Sequence, residues 1–96
     1  SPAHQAKVGE VAEGIRSRGL DAYTEVPIGT VNGQKATRVM DVVAVDPATG
    51  RIVEVHQVGK TLQSNPKVPV ARERDALRDV RHSPEIRGAK RYFHEY

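Results

Sequence analysis

Two carboxylates lie inside aliphatic runs, Asp41 in VMDVVAV and Glu54 in IVEVHQV. An ionised carboxylate among apolar, β-branched neighbours is costly to bury unless a cation or a metal ion answers it. The two acids flank the turn sequence DPATG, so they fall on adjacent strands of a hairpin. A hard cation such as Mg²⁺ takes one or two carboxylates and completes its shell with water and phosphate oxygens. Such an ion polarises a phosphoryl oxygen and lowers the pKa of its bound water. Side chains alternate along a strand, so His56 shares a face with Glu54 and Gln57 takes the other. A neutral imidazole near pH 7 is suited to orienting or deprotonating a water. Glu10, on an amphipathic helical stretch, is a third candidate ligand. Against the metal stands a simpler arrangement, in which Arg38, Arg51 or an arginine of the second helix pairs with the acids. His4, His82 and His94 share no ligand-like spacing and are read as surface residues.

The elements that must position these groups follow from periodicity. Val8, Val11, Ala12 and Ile15 recur at three- and four-residue spacing and predict a helix over Ala3 to Arg18, stopped at Gly19. Asp21 to Thr30 alternates and reads as a first strand, with Pro27 marking an edge or a strand end. Asn32-Gly33 is the preferred filling of a type I′ turn, which makes the first two strands antiparallel neighbours. A second strand, about Lys35 to Val45, carries aliphatic residues on both faces and so reads as covered from both sides. Arg51 to Val58 is the third strand and Gly59 to Val68 a polar loop. Pro69 is suited to the first turn of a second helix, which would bury Val70, Leu77 and Val80 and end at Ser83-Pro84. The tail AKRYFHEY adds a short strand or docks as an aromatic plug. The expected fold is therefore α/β, a small mixed sheet with flanking helices in α-β-β-β-α-β order.

Ninety-six residues with 38% hydrophobic content suit one small domain, spanning 1–96 and expected to be excised from a longer protein. Without Cys there is neither a disulfide framework nor a thiolate metal site. No apolar run is long enough to cross a bilayer as a helix. The formal charge of +3 is accounted for entirely between Lys67 and Tyr96. Such an arginine-rich end suits phosphate, with Lys60, Arg72, Arg74 and Arg78 as the nucleic-acid-binding candidates. A solvated helix of mixed charge is the competing reading.

Glu10 on a first helix, Asp41 in the second strand and Glu54-Val55-His56 in the third together resemble the PD-(D/E)xK, or restriction-endonuclease-like, nuclease superfamily. The resemblance covers nearly the whole chain. It implies that Asp41 and Glu54 bind Mg²⁺ or Mn²⁺, with Zn²⁺ a further candidate, and that the chain hydrolyses phosphodiester bonds, in DNA ahead of RNA. His56 stands where the superfamily has Lys, so handling of the water passes to His56, with Gln57 or Lys60 sharing the task. HQVGK and the arginine-rich helix after it also look like C-terminal toxin domains of bacterial polymorphic, contact-dependent toxins. That similarity implies a secreted or delivered effector acting in a target-cell cytoplasm, and a cognate immunity protein as partner. Two rivals remain: a metal-independent ribonuclease using His56 with His4 or His94, and a non-catalytic nucleic-acid-binding module.

Overall fold

A computed structural model describes residues 1–96. A first helix, α1 (Pro2–Ser17), starts because the Ser1 hydroxyl accepts the His4 N–H and Pro2 sits where no helical N–H is needed. It ends at Arg18, and Gly19 takes the left-handed φ of 83° that turns the chain away. Three antiparallel-linked strands follow, β1 (Asp21–Gly29), β2 (Thr37–Val45) and β3 (Ile52–Gly59). A second helix, α2 (Ala71–Val80), and a single 3-10 turn (Pro84–Ile86) lead to β4 (Lys90–Glu95). The sheet order is β1-β2-β3-β4, with β4 parallel to β3, so the fold is α/β with a four-stranded mixed sheet and two helices.

The sheet separates two apolar clusters. Val8, Val11, Ala12 and Ile15 of α1 pack on Ala22, Val42, Ala44 and Val58. Ala76 and Val80 of α2, with Ile86, pack on Ile28, Met40, Val43 and Val55. β2 thus contributes to both layers, as its two-sided aliphatic pattern requires. The faces exchange partway along the β1–β2 hairpin: Ala22 and Val42 lie under α1, but Ile28 and Met40 lie under α2. The exchange falls at Glu25, which takes φ 55°, and at Asp41. A non-glycine residue at that φ costs roughly 1–2 kcal/mol. Here the kink lets one hairpin serve both layers.

Several sequence expectations are corrected. Asn32-Gly33 does not form a two-residue hairpin turn; residues 30–36 form a wider loop, and of the pair only Asn32 has positive φ. The cause is Asp79 of α2, which accepts the Gln34 and Lys35 N–H groups at 3.1 and 3.2 Å and pulls the loop onto the helix. A Cβ on Gly33 would lie 2.8 Å from Thr30 Oγ1 and 2.9 Å from Asp79 Cγ, so this close approach needs glycine. Pro69 does not open α2: it bridges to Thr61, and Val70 precedes the helix in extended conformation. The buried face of α2 is Ala76, Asp79 and Val80, while Leu77 is only half-buried. Of the alternatives for the tail, the strand is the one formed.

Candidate active site

β2 and β3 run as a ladder from Val45 and Ile52 to Val42 and His56, and there they part. β3 continues alone against β4 to Gly59. At this fork side chains replace the missing backbone bonds. The Asp41 N–H donates to Gln57 Oε1 at 3.0 Å, and Asp41 Oδ2 accepts the Val58 N–H at 2.7 Å. Asp41 Oδ1 lies 3.5 Å from His4 Nε2, and that imidazole also reaches the Val58 carbonyl at 3.1 Å. His4 is therefore half-buried between α1 and the sheet rather than a surface residue.

Further along the α1 face sits a chain of four polar side chains. Arg18, just past α1, grips Glu54 with both terminal nitrogens, at 2.9 and 2.6 Å. Glu54 Oε1 accepts from His56 Nε2 at 2.8 Å, and His56 Nδ1 is 2.7 Å from His94 Nε2. The two imidazoles are nearly coplanar, 16° apart, with centroids 5.0 Å apart, the disposition of an in-plane N–H···N bond. Tyr92, cross-strand partner of His56, stacks on it at 4.8 Å and 15°. The terminal His56 and His94 line a cleft of about 290 Å³ whose other walls include Lys7, Glu10 and Arg18.

The protonation pattern follows from the bonds. The Arg18 guanidinium holds the Glu54 carboxyl down at about 2, with His56 helping and burial working against it. Glu54 is thus an acceptor only, so His56 carries its proton on Nε2. With its Nε2–H given to Glu54, His56 presents the Nδ1 lone pair to the Nε2–H of His94, which leaves Nδ1 of His94 as the acceptor at the end of the chain. Burial lowers the pKa of His94, a proton taken up by His56 would lower it further, the Lys7 charge acts in the same direction, and Glu10 opposes them. His94 is therefore a neutral base near pH 7.

The expected metal pair is not brought together. Asp41 and Glu54 both turn to the α1 side, since one meets His4 and the other Arg18. Glu54, however, faces Ala44 in the ladder, which places it about 10 Å along the strand from Asp41 at roughly 3.3 Å per residue. Its oxygens are already held by Arg18 and His56. No three His, Asp or Glu side chains converge as a metal ion needs. As arranged, Asp41 and Glu54 do not fit one shared Mg²⁺, Mn²⁺ or Zn²⁺ ion. Glu10 is exposed on α1, 3.4 Å from Lys7 at the cleft wall. Gln57 lies on the opposite face from Glu54, under α2.

The basic candidates scatter. Lys60 lies over the Tyr96 ring at 3.8 Å and donates to the Tyr96 carbonyl at 2.7 Å. Arg74 is spent on the Pro69 carbonyl and Arg78 on Asp75. Arg72 is exposed and lines a second cleft, of about 370 Å³, on the α2 side of the fork with Lys35, Arg38, Gln57 and Glu73. Residue spacing alone did not single out Arg18 or Lys35, and it placed His94 on the surface. His94 meets His56 only because β4 pairs parallel with β3, a relation without a local sequence signal. No helix is long and apolar enough to cross a membrane. Comparison of the chain with protein families, with curated proteins and with solved structures finds no match.

Proposed function

We propose that the chain is a nuclease that hydrolyses phosphodiester bonds in nucleic acid, with His94 as the general base. The observation that carries this reading is the unbroken hydrogen-bonded sequence Arg18–Glu54–His56–His94 ending in a cleft. A carboxylate behind an imidazole fixes its tautomer and stabilises the imidazolium that forms when it accepts a proton. Here the second imidazole extends that logic by one step. His94 Nδ1 takes a proton from the attacking water and its Nε2 proton passes to His56 Nδ1, leaving an imidazolium beside Glu54. As the new P–O bond forms and the old one breaks, the proton returns along the same path to the departing alkoxide oxygen. Lys7 and Arg18 at the cleft wall supply positive charge for a scissile phosphate.

This mechanism uses only protein side chains, and it draws the metal-independent use of His56 and His94 into the nuclease reading. The resemblance to restriction-endonuclease-like nucleases supports the same activity with Mg²⁺ or Mn²⁺. The observation favouring that second version is Asp41, a carboxylate set where β2 leaves β3, whose Oδ2 accepts the Val58 N–H while Oδ1 lies 3.5 Å from His4 Nε2. Under either version the resemblance to toxin domains makes the chain an effector delivered into a target cell and answered by an immunity protein.

The test is cleavage of plasmid DNA and of single-stranded RNA by wild type, His94→Gln and Asp41→Asn, with Mg²⁺, Mn²⁺ or EDTA. The relay predicts activity that survives EDTA and is lost in His94→Gln. Activity abolished by EDTA and by Asp41→Asn assigns the chemistry to a metal ion instead. No cleavage of either substrate under any condition overturns the nuclease reading.

A further inference from the structure

The cleft on the α2 side of the fork is separate from the histidine cleft, which lies under α1 on the other face of the sheet. Lys35, Arg38 and Arg72 bring three cations to it, against Glu73 alone. Glu73 is withdrawn from the mouth. Its side chain is 12% exposed and lies against Gly59, where a Cβ would come within 2.7 Å of Glu73 Cδ. Its Oε2 is buried without a partner, and Oε1 lies 3.5 Å from Arg72 Nε. Arg38 is held from behind by Asp79 at 2.8 Å. What remains open is Lys35, the 74% exposed Arg72 and the amide nitrogen of Gln57, which donates to no protein group while its Oε1 is fixed by Asp41. A concave, donor-rich surface whose one carboxylate is mostly buried suits phosphodiester oxygens.

We infer that this cleft holds a backbone phosphate of single-stranded nucleic acid, on Lys35, Arg72 and Gln57, while the histidine cleft holds another part of the same strand. The inference rests on the nuclease reading and supplies its substrate class. Two clefts on opposite faces of one sheet cannot both be reached by a stiff duplex, whose persistence length is about 150 base pairs. A flexible single strand can pass around the open fork between Thr37 and Gly59.

The test is fluorescence anisotropy with labelled 20-nucleotide single-stranded DNA and RNA and the corresponding duplexes, across a salt series. The variants are Lys35→Glu/Arg72→Glu and, as a control of equal charge change, Arg87→Glu/Lys90→Glu, whose side chains are exposed elsewhere. Single strands are expected to bind more tightly than duplexes. The fork variant should bind them at least tenfold more weakly, with a salt slope shallower by roughly 1.4, at about 0.7 per single-strand phosphate contact. An unchanged slope, an equal loss in the control variant, or duplex bound as tightly as single strand overturns the inference. Binding as expected without cleavage would leave this cleft standing and remove the nuclease reading. Cleavage that depends on His94, with binding unchanged in the fork variant, would do the reverse.

Discussion

His56 and His94, 38 residues apart in the chain, share an in-plane hydrogen bond of 2.7 Å. Each alone is an ordinary strand histidine; together, backed by Glu54, they form a proton path from the sheet interior to a cleft. If that path is catalytic, His94→Gln should lower cleavage about 100-fold or more, the usual contribution of a positioned general base. His56→Gln should also lower it and shift the pH–rate profile, because His94 then lacks a proton acceptor. Steady-state cleavage rates between pH 5 and 9 check both. A flat, unshifted profile in His56→Gln would assign His56 a packing role only.

Glu54 should be visible in acid stability. Its folded pKa is about 2 against an ordinary 4.5. Above pH 4.5 both folded and unfolded chains are ionised there and the full stabilisation is present. As pH falls from 4.5 towards 2 the unfolded chain takes up a proton that the folded one declines, so stability is lost across that window. Glu54→Gln should remove this component of the slope in denaturant titrations. Arg18→Ala should move the Glu54 carboxyl back up towards 4.5, as read by carbon NMR titration. His94 adds an earlier loss with the same sign. Its pKa lies below the ordinary 6.5, so stability begins to fall as pH drops past about 6.5, and His94→Gln should flatten that part of the curve.

Gly59 and Glu73 should prove energetically coupled. In Gly59→Ala the new methyl meets Glu73 Cδ, Cγ and Oε1 at 2.7–2.9 Å, so the side chain must move. A destabilisation of about 1–3 kcal/mol is expected from such overpacking. Adding Glu73→Ala should relieve most of it, and a coupling energy of roughly 0.5–3 kcal/mol in the double-mutant cycle is the measurement. Strict additivity would mean that Gly59 is required for some other reason.

Asp79 is the tether of the loop at residues 30–36, through the Gln34 and Lys35 N–H groups and Arg38. Burial alone would raise its pKa, but Arg38 and the two N–H groups outweigh it and hold the carboxyl below its usual range. Asp79→Ala should abolish hydrogen-exchange protection at Gln34 and Lys35, lower the melting temperature and leave protection in the β2–β3 ladder intact. Retained protection at both amides would show the loop to be held by its own turn chemistry.

Local sequence determined the element order and the two-layer burial of the sheet. Val8, Val11, Ala12 and Ile15 have helical spacing, and aliphatic residues at every position from Val42 to Val45 leave a strand no solvent face. Such patterns are read over a few residues, because side-chain direction repeats with the backbone. Tertiary structure decided which groups meet. Glu54 takes Arg18 from 36 residues away rather than Arg38 or Arg51, and the loop answers to Asp79 from 45 residues away instead of to Asn32-Gly33. His94 reaches His56 through the parallel register of β4. These partnerships depend on strand order, register and the kink at Glu25 and Asp41. None of the three leaves a trace in residue spacing, since each is settled by packing between segments that are distant in the chain.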